Sequence, residues 1–114
     1  MESDQWPTEW LRAVLPLAVL STVAEGETYG YAIAQHLGGA GLGVVKGGTL
    51  YPILNRLEDE GLLVSSWRAG IEGPGRKFFA VTPAGREHLE RRTVAWHDFT
   101  ERADGLLPAL RSTP

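Results

Sequence analysis

The chain is predicted to fold as an α+β domain that is mainly α: three helices, a β-hairpin and one long final helix. Three observations carry this. A stripe at Leu50, Ile53, Leu54 and Leu57 has helical spacing, and it follows an apolar run from Ala13 to Ala24 of the kind a buried helix shows. Two short runs, "LLVSSWRA" and "RKFFAVT", flank the turn-forming cluster "GIEGPG" and read as paired strands. Thr82 followed by Pro83 then opens a segment with apolar residues at Leu89, Trp96, Phe99, Ala103 and Leu106, the rhythm of a helix that packs on another helix.

With 114 residues there is room for one domain with a modest core. Cysteine is absent, which excludes disulfides and thiolate metal sites and suits a reducing cytoplasm, the expected location. The apolar run is too short to span a bilayer. Glu2, Asp4 and Glu9 stand before it, where a signal peptide would carry basic residues. A net charge of −3 argues against a nucleic-acid binder until its distribution is considered. Residues 1–45 hold Arg12 against five carboxylates, whereas residues 46–82 hold five cations against four acids, three of them consecutive at Glu58, Asp59 and Glu60.

The first helix is expected from Thr8 to Glu25, kinked at Pro16. Its apolar residues fall on nearly every side, so both faces need cover, and a second subunit is the expected source of some of it. Gly26 ends it. "TYGYAIAQHL" reads as a second short helix closed by Gly38 and Gly39. "GGAGLGVVKGG" lacks a preceding strand and the Gly-Lys-Ser/Thr ending, so it reads as a mobile connector rather than a phosphate-binding loop.

The third helix is expected to begin near Gly48 or Thr49, because Pro52 fits a first turn where amides lack partners. Gly61 closes it. With the leucine stripe inward, Tyr51, Pro52, Asn55, Arg56 and Asp59 face outward or flank the stripe. The hairpin follows, its returning strand opening with Arg76 and Lys77. In the final helix Arg92 occupies the gap in the apolar stripe, and Pro108 ends the pattern. Residues 1–82 thus form one unit with the hairpin as its wing, residues 83–107 a dimerisation helix, and residues 108–114 a disordered tail.

This arrangement is a winged helix-turn-helix domain with a long C-terminal dimerisation helix. In such a domain the third helix enters the major groove and the wing reaches the flanking backbone or minor groove. Thr49 and Tyr51 can donate to phosphates, and Lys46 adds a cation beside them. Asn55 and Arg56 can pair bidentately with base edges. Glu58, Asp59 and Glu60 cannot lie against phosphate and are expected to be solvated. The helix therefore enters with its amino end first, which also aims its positive dipole end at the DNA.

"GGTLYPILNRLEDEGLL", "RKFFAVTPAGREHL" and "YGYAIAQHL" together resemble the PadR family of bacterial transcription regulators over about Leu17 to Leu107. The resemblance implies a cytoplasmic, dimeric, DNA-binding repressor of the family's smaller subgroup, paired through its first and last helices. Leu11, Leu15, Leu89, Trp96, Phe99, Ala103 and Leu106 are then the interface residues. It implies DNA contacts by Tyr51, Arg76 and Lys77, with Tyr29 at the second helix, on double-stranded DNA with a palindromic operator. It also implies a small aromatic or drug-like ligand held between tryptophans at the interface, with Trp96 at the corresponding place and Trp10 as a wall. Many relatives carry a small capping residue where this chain has Lys46 and Gly47.

Taken one at a time, these features have plainer readings: an exposed helix face is usually just solvated, and edge strands commonly carry cations. His36, His88 and His97 lack metal-pair spacing, and no nucleophile, base and orienter coincide. Neither a metal site, a cofactor nor an enzyme is therefore expected. The other reading to be weighed is a winged-helix module that binds protein and not specific DNA.

Overall fold

A computed structural model describes residues 6–70 and 73–110 of the chain. In order, it comprises α1 (Thr8–Ala24), β1 (Thr28–Tyr29), α2 (Gly30–Leu37), α3 (Gly47–Asp59), β2 (Leu63–Arg68), β3 (Arg76–Val81) and α4 (Pro83–Leu106). This is the winged helix-turn-helix architecture with a long last helix.

The central element is α1. It starts where the Pro7 carbonyl accepts the Trp10 and Leu11 amides, at 3.0 and 3.2 Å, and it continues through Pro16. Leu15, Val19, Leu20 and Val23 are buried, and α1 packs on α2, α3, α4 and β3. Its apolar circumference is therefore covered largely by its own chain, because four elements converge on it. The need for a second subunit shrinks to the first turns, where Trp10 is 59% exposed. Leu15, expected at a subunit interface, is 3% exposed and belongs to the protomer core.

Two glycines expected to stop α2 do not. Gly38 has helical φ and ψ, and the chain runs on as a π-helical turn over Gly38–Leu42. The direction changes within that span at Gly41 (φ 99°) and just after it at Gly43 (φ 88°), conformations that residues with a Cβ adopt at a cost. The Trp6 indole donates to the Gly41 carbonyl at 2.7 Å and ties this turn to the start of α1.

α3 begins at Gly47, one or two residues before the expected start, so Pro52 lies in its second turn. The ring is tolerated there because it is exposed, and water can serve the carbonyl one turn back that loses its amide partner. At the other end, the Leu62 amide bonds the Leu57 carbonyl and the Gly61 amide bonds that of Glu58, both at 2.9 Å. Gly61 has φ 79°. This is a Schellman closure, with buried Leu57 and Leu62 as its apolar contact.

The sheet has the order β1-β3-β2, all antiparallel. The hairpin was expected; the two-residue β1, too short to show a period, was not. Leu63 and Phe79 on one face of the sheet join Ile33, Leu37, Leu50, Leu54 and the α1 residues in a single core. No buried polar side chain occurs among the described residues.

Thr82 caps α4 as expected, accepting the Gly85 amide at 2.9 Å with Pro83 in the first turn. Its hydroxyl also donates to the Gly61 carbonyl at 2.7 Å, joining the start of α4 to the end of α3. Beyond its first turns α4 leaves the body of the molecule, whose extents are 53 × 35 × 23 Å. Residues 108–110 have no regular structure, and 111–114 of the expected tail lie outside the described residues.

Candidate nucleic-acid interface

α3 divides by its period into two faces. Leu50, Leu54 and Leu57 are buried, while Thr49, Tyr51, Pro52, Asn55 and Arg56 are exposed, as expected. Lys46 precedes the first turn in extended backbone, and its side chain makes no cap. The Thr49 and Leu50 amides both bond its carbonyl, at 2.9 Å, and the exposed amino end carries the positive end of the helix dipole.

Tyr51 is held, not loose. A Cβ placed on Gly30 would fall 2.6 Å from its Cζ, and one on Gly47 would fall 3.5 Å from its Cδ2. The ring therefore lies across the buried Gly30 at the start of α2 while the residue stays 45% exposed. Gly30 is a site residue that sequence reasoning missed. Its signal was the Tyr-Gly pair opening the second helix, whose meaning depends on which residue of α3 lies over it.

The acidic end of α3 differs from expectation. Glu58 is not simply solvated: it accepts a hydrogen bond from Ser65 Oγ at 2.6 Å and pairs with Lys77 Nζ at 3.6 Å. One carboxylate thus ties the helix to both wing strands. Asp59 and Glu60 are exposed.

The register separates the two wing cations. Tyr29 and Ser66 both pair with Phe78, and Arg68 pairs with Arg76, so these five side chains share the outer face. There Arg76 stacks on the Tyr29 ring at 4.5 Å and Arg68 on the Phe78 ring at 4.2 Å. The two rings meet at 5.1 Å, and Arg68 also pairs with Glu27. Lys77 lies on the other face, toward α3. The structure brings Tyr29 and Arg76 together and sets Lys77 apart from both.

Between α1 and α3 runs a groove of about 700 Å³ with Leu11, Leu15 and Ile53 in its wall and Arg12, Lys46 and Arg56 among its lining. None of these three cations forms an ion pair among the described residues. Trp10 and Trp96 do not meet within one chain. Trp10 packs with Trp6 at 6.5 Å and Trp96 with Phe99 at 6.0 Å. On α4 only Gly85 is buried; Leu89, Trp96 and Ala103 are half-buried, and Phe99 and Leu106 are 63% and 88% exposed.

Comparison with known proteins agrees with this geometry. Residues 19–91 match the model of the transcriptional regulator PadR-like family. Over 88 residues the chain is 43% identical to the transcriptional regulator Rv3488 of Mycobacterium tuberculosis, a match covering 75% of this chain and 80% of that protein. Among solved structures it resembles a PadR family transcriptional regulator from Eggerthella lenta, with a TM-score of 0.79 and 34% identity over 90% of this chain and 88% of that one. A PadR-like regulator from Bacillus cereus matches with a TM-score of 0.78 and 30% identity, over 90% of this chain and all of the other.

Proposed function

The chain belongs to the PadR-like family of transcriptional regulators, and we propose that it is a homodimeric repressor whose two α3 helices read the halves of a palindromic operator. The observation that carries this reading is the polarity of α3. Its amino end exposes Thr49, Tyr51, Asn55 and Arg56 next to Lys46, while its nearest carboxylate to the wing, Glu58, is engaged inside the molecule. An approach by the amino end meets phosphate with donors and with the helix dipole, and keeps Asp59 and Glu60 away from it.

Tyr51, braced on Gly30, supplies a fixed phenol. Asn55 and Arg56 supply the base-edge donors and acceptors. Arg76, stacked on Tyr29, keeps its guanidinium edge free for backbone phosphate, and Tyr29 acts by holding it. Lys77 reaches phosphate only in exchange for Glu58. The two half-sites then lie about one helical turn, roughly 34–36 Å, apart.

The unfinished surface of α4 supports the dimer. A helix of 24 residues with one buried residue and a stripe through Leu89, Trp96, Phe99, Ala103 and Leu106 requires a partner helix, and Leu11 and Trp10 of α1 extend the same demand. Paired Trp96 rings, with Trp10 at the wall, form a platform for a flat aromatic or drug-like molecule whose binding releases the operator.

The test is fluorescence anisotropy on DNA upstream of the protein's own gene and on a duplex enriched from a random pool. If the dimer neutralises about six phosphates, log affinity falls against log salt with a slope near −5. Tyr51→Phe, which keeps the ring on Gly30, and Arg56→Ala each weaken binding by about tenfold with the dimer intact. Parent-like binding by both variants would reject α3 as the reading helix. A shallow salt dependence with no sequence preference would favour a protein-binding module.

A further inference from the structure

We propose that Trp67 is a DNA contact of the wing, its indole packing against the deoxyribose wall of the minor groove beside the half-site read by α3. The inference rests on the DNA-binding reading above and adds a residue and a kind of contact to it.

The described residues of the sheet include four aromatic rings, and three of them are covered. Phe79 is in the core at 0% exposure. Tyr29 lies under Arg76, and Phe78 lies under Arg68, which Glu27 holds in turn. Trp67 is 73% exposed, the most exposed aromatic among the described residues, and it has no ring, cation or hydrogen-bond partner among them. Single exposed apolar residues are ordinary on protein surfaces. Trp67 stands out because guanidinium groups cover both rings on the outer face of the sheet and the core covers Phe79, whereas this ring, on the face of Phe79, is bare.

Its position adds direction. Trp67 pairs with Lys77 and is two residues from Ser65, so it shares their face of the sheet, the face joined to α3 through Glu58. The cation opposite it is committed to that carboxylate, and both wing arginines lie on the other face. Toward α3, therefore, the wing presents an indole and not a free charge. An indole suits the minor groove: its body fits the apolar sugar walls, and its N–H can meet the acceptors on A·T edges.

A contact of this kind releases no counterion, which gives the test. A duplex enriched from a random pool by the parent protein is titrated with parent, Trp67→Ala, Trp67→Phe and Arg76→Ala at several salt concentrations. Trp67→Ala is expected to bind about tenfold more weakly at every salt concentration with the slope unchanged. Arg76→Ala should flatten the slope by about 1. Trp67→Phe should stay within about threefold of the parent and lose the share of DNA-dependent tryptophan quenching that Trp67 carries, leaving less than in the parent. Melting temperature and dimer should be unchanged in both Trp67 variants, since the side chain supports no packing. Parent-like affinity in Trp67→Ala, or DNA-dependent quenching in Trp67→Phe as large as in the parent, would overturn the contact. Failure of the parent to enrich any duplex would overturn the DNA reading itself, and the contact with it.

Discussion

Two glycines do work at the residue scale that no side chain could do. Gly85 is buried in the first turn of α4, where a Cβ would collide with the Leu62 carbonyl and come 2.8 Å from Val81 Cγ2. The obstacle on one side is backbone, so it cannot swing away. Gly85→Ala is expected to lower stability by about 1–3 kcal/mol, read as a shift of the urea midpoint; an unshifted midpoint would show that α4 can lift off β3 without cost. Gly30 makes room for Tyr51 in the same way, but its obstacle is the end of a side chain that can rotate. The cost there falls on the placement of the phenol more than on the fold.

At the scale of elements, the joint between α3 and the wing is polar where the rest of the interior is apolar. Glu58 receives the Ser65 hydroxyl and faces Lys77 with about a third of each charged side chain exposed. Water screens the ion pair, so the hydrogen bond carries most of the effect. Glu58→Ala should destabilise by about 1 kcal/mol. Combined with Ser65→Ala, it should lose less than the two separate costs together, because both remove the same bond. Strict additivity in a double-mutant cycle would mean that the two residues act separately. A second joint, Thr82 between Gly85 and Gly61, fixes where α4 departs from the end of α3. The angle between α3, the wing and α4 is thus set by a few hydrogen bonds at element ends.

Over the whole molecule, the imbalance lies between a closed core and an open α4. Thirteen apolar residues are buried in one cluster, yet the last helix exposes Val94, Phe99 and Leu106 at 71%, 63% and 88%. A homodimer should show a melting temperature that rises with protein concentration. Phe99→Glu, which places a charge in the apolar stripe without touching the core, should abolish that dependence and yield a smaller species by light scattering. A variant with the parent's mass and concentration dependence would remove Phe99 from the interface. Such a monomer keeps α3 intact, so its remaining DNA affinity measures what one half-site contributes.

The sequence by itself determined the order of the four helices and the hairpin, the core stripe of α3, the cap at Thr82 and the outward residues Tyr51, Pro52, Asn55, Arg56 and Asp59. Each of these depends on the local period of a helix or on groups within a few residues of one another. Only the tertiary structure decided that Leu15 is core, that Lys77 is held by Glu58 while Arg76 covers Tyr29, and that Gly30 seats Tyr51. It also decided that Trp67 stands bare. Those outcomes depend on strand register, where one residue's shift exchanges the two faces of a sheet, and on contacts between elements far apart in the chain. Neither has a short-range signature, so the wing reads as two adjacent cations in sequence, whereas in space it has one arginine on the outer face, and one lysine and an uncovered indole on the other.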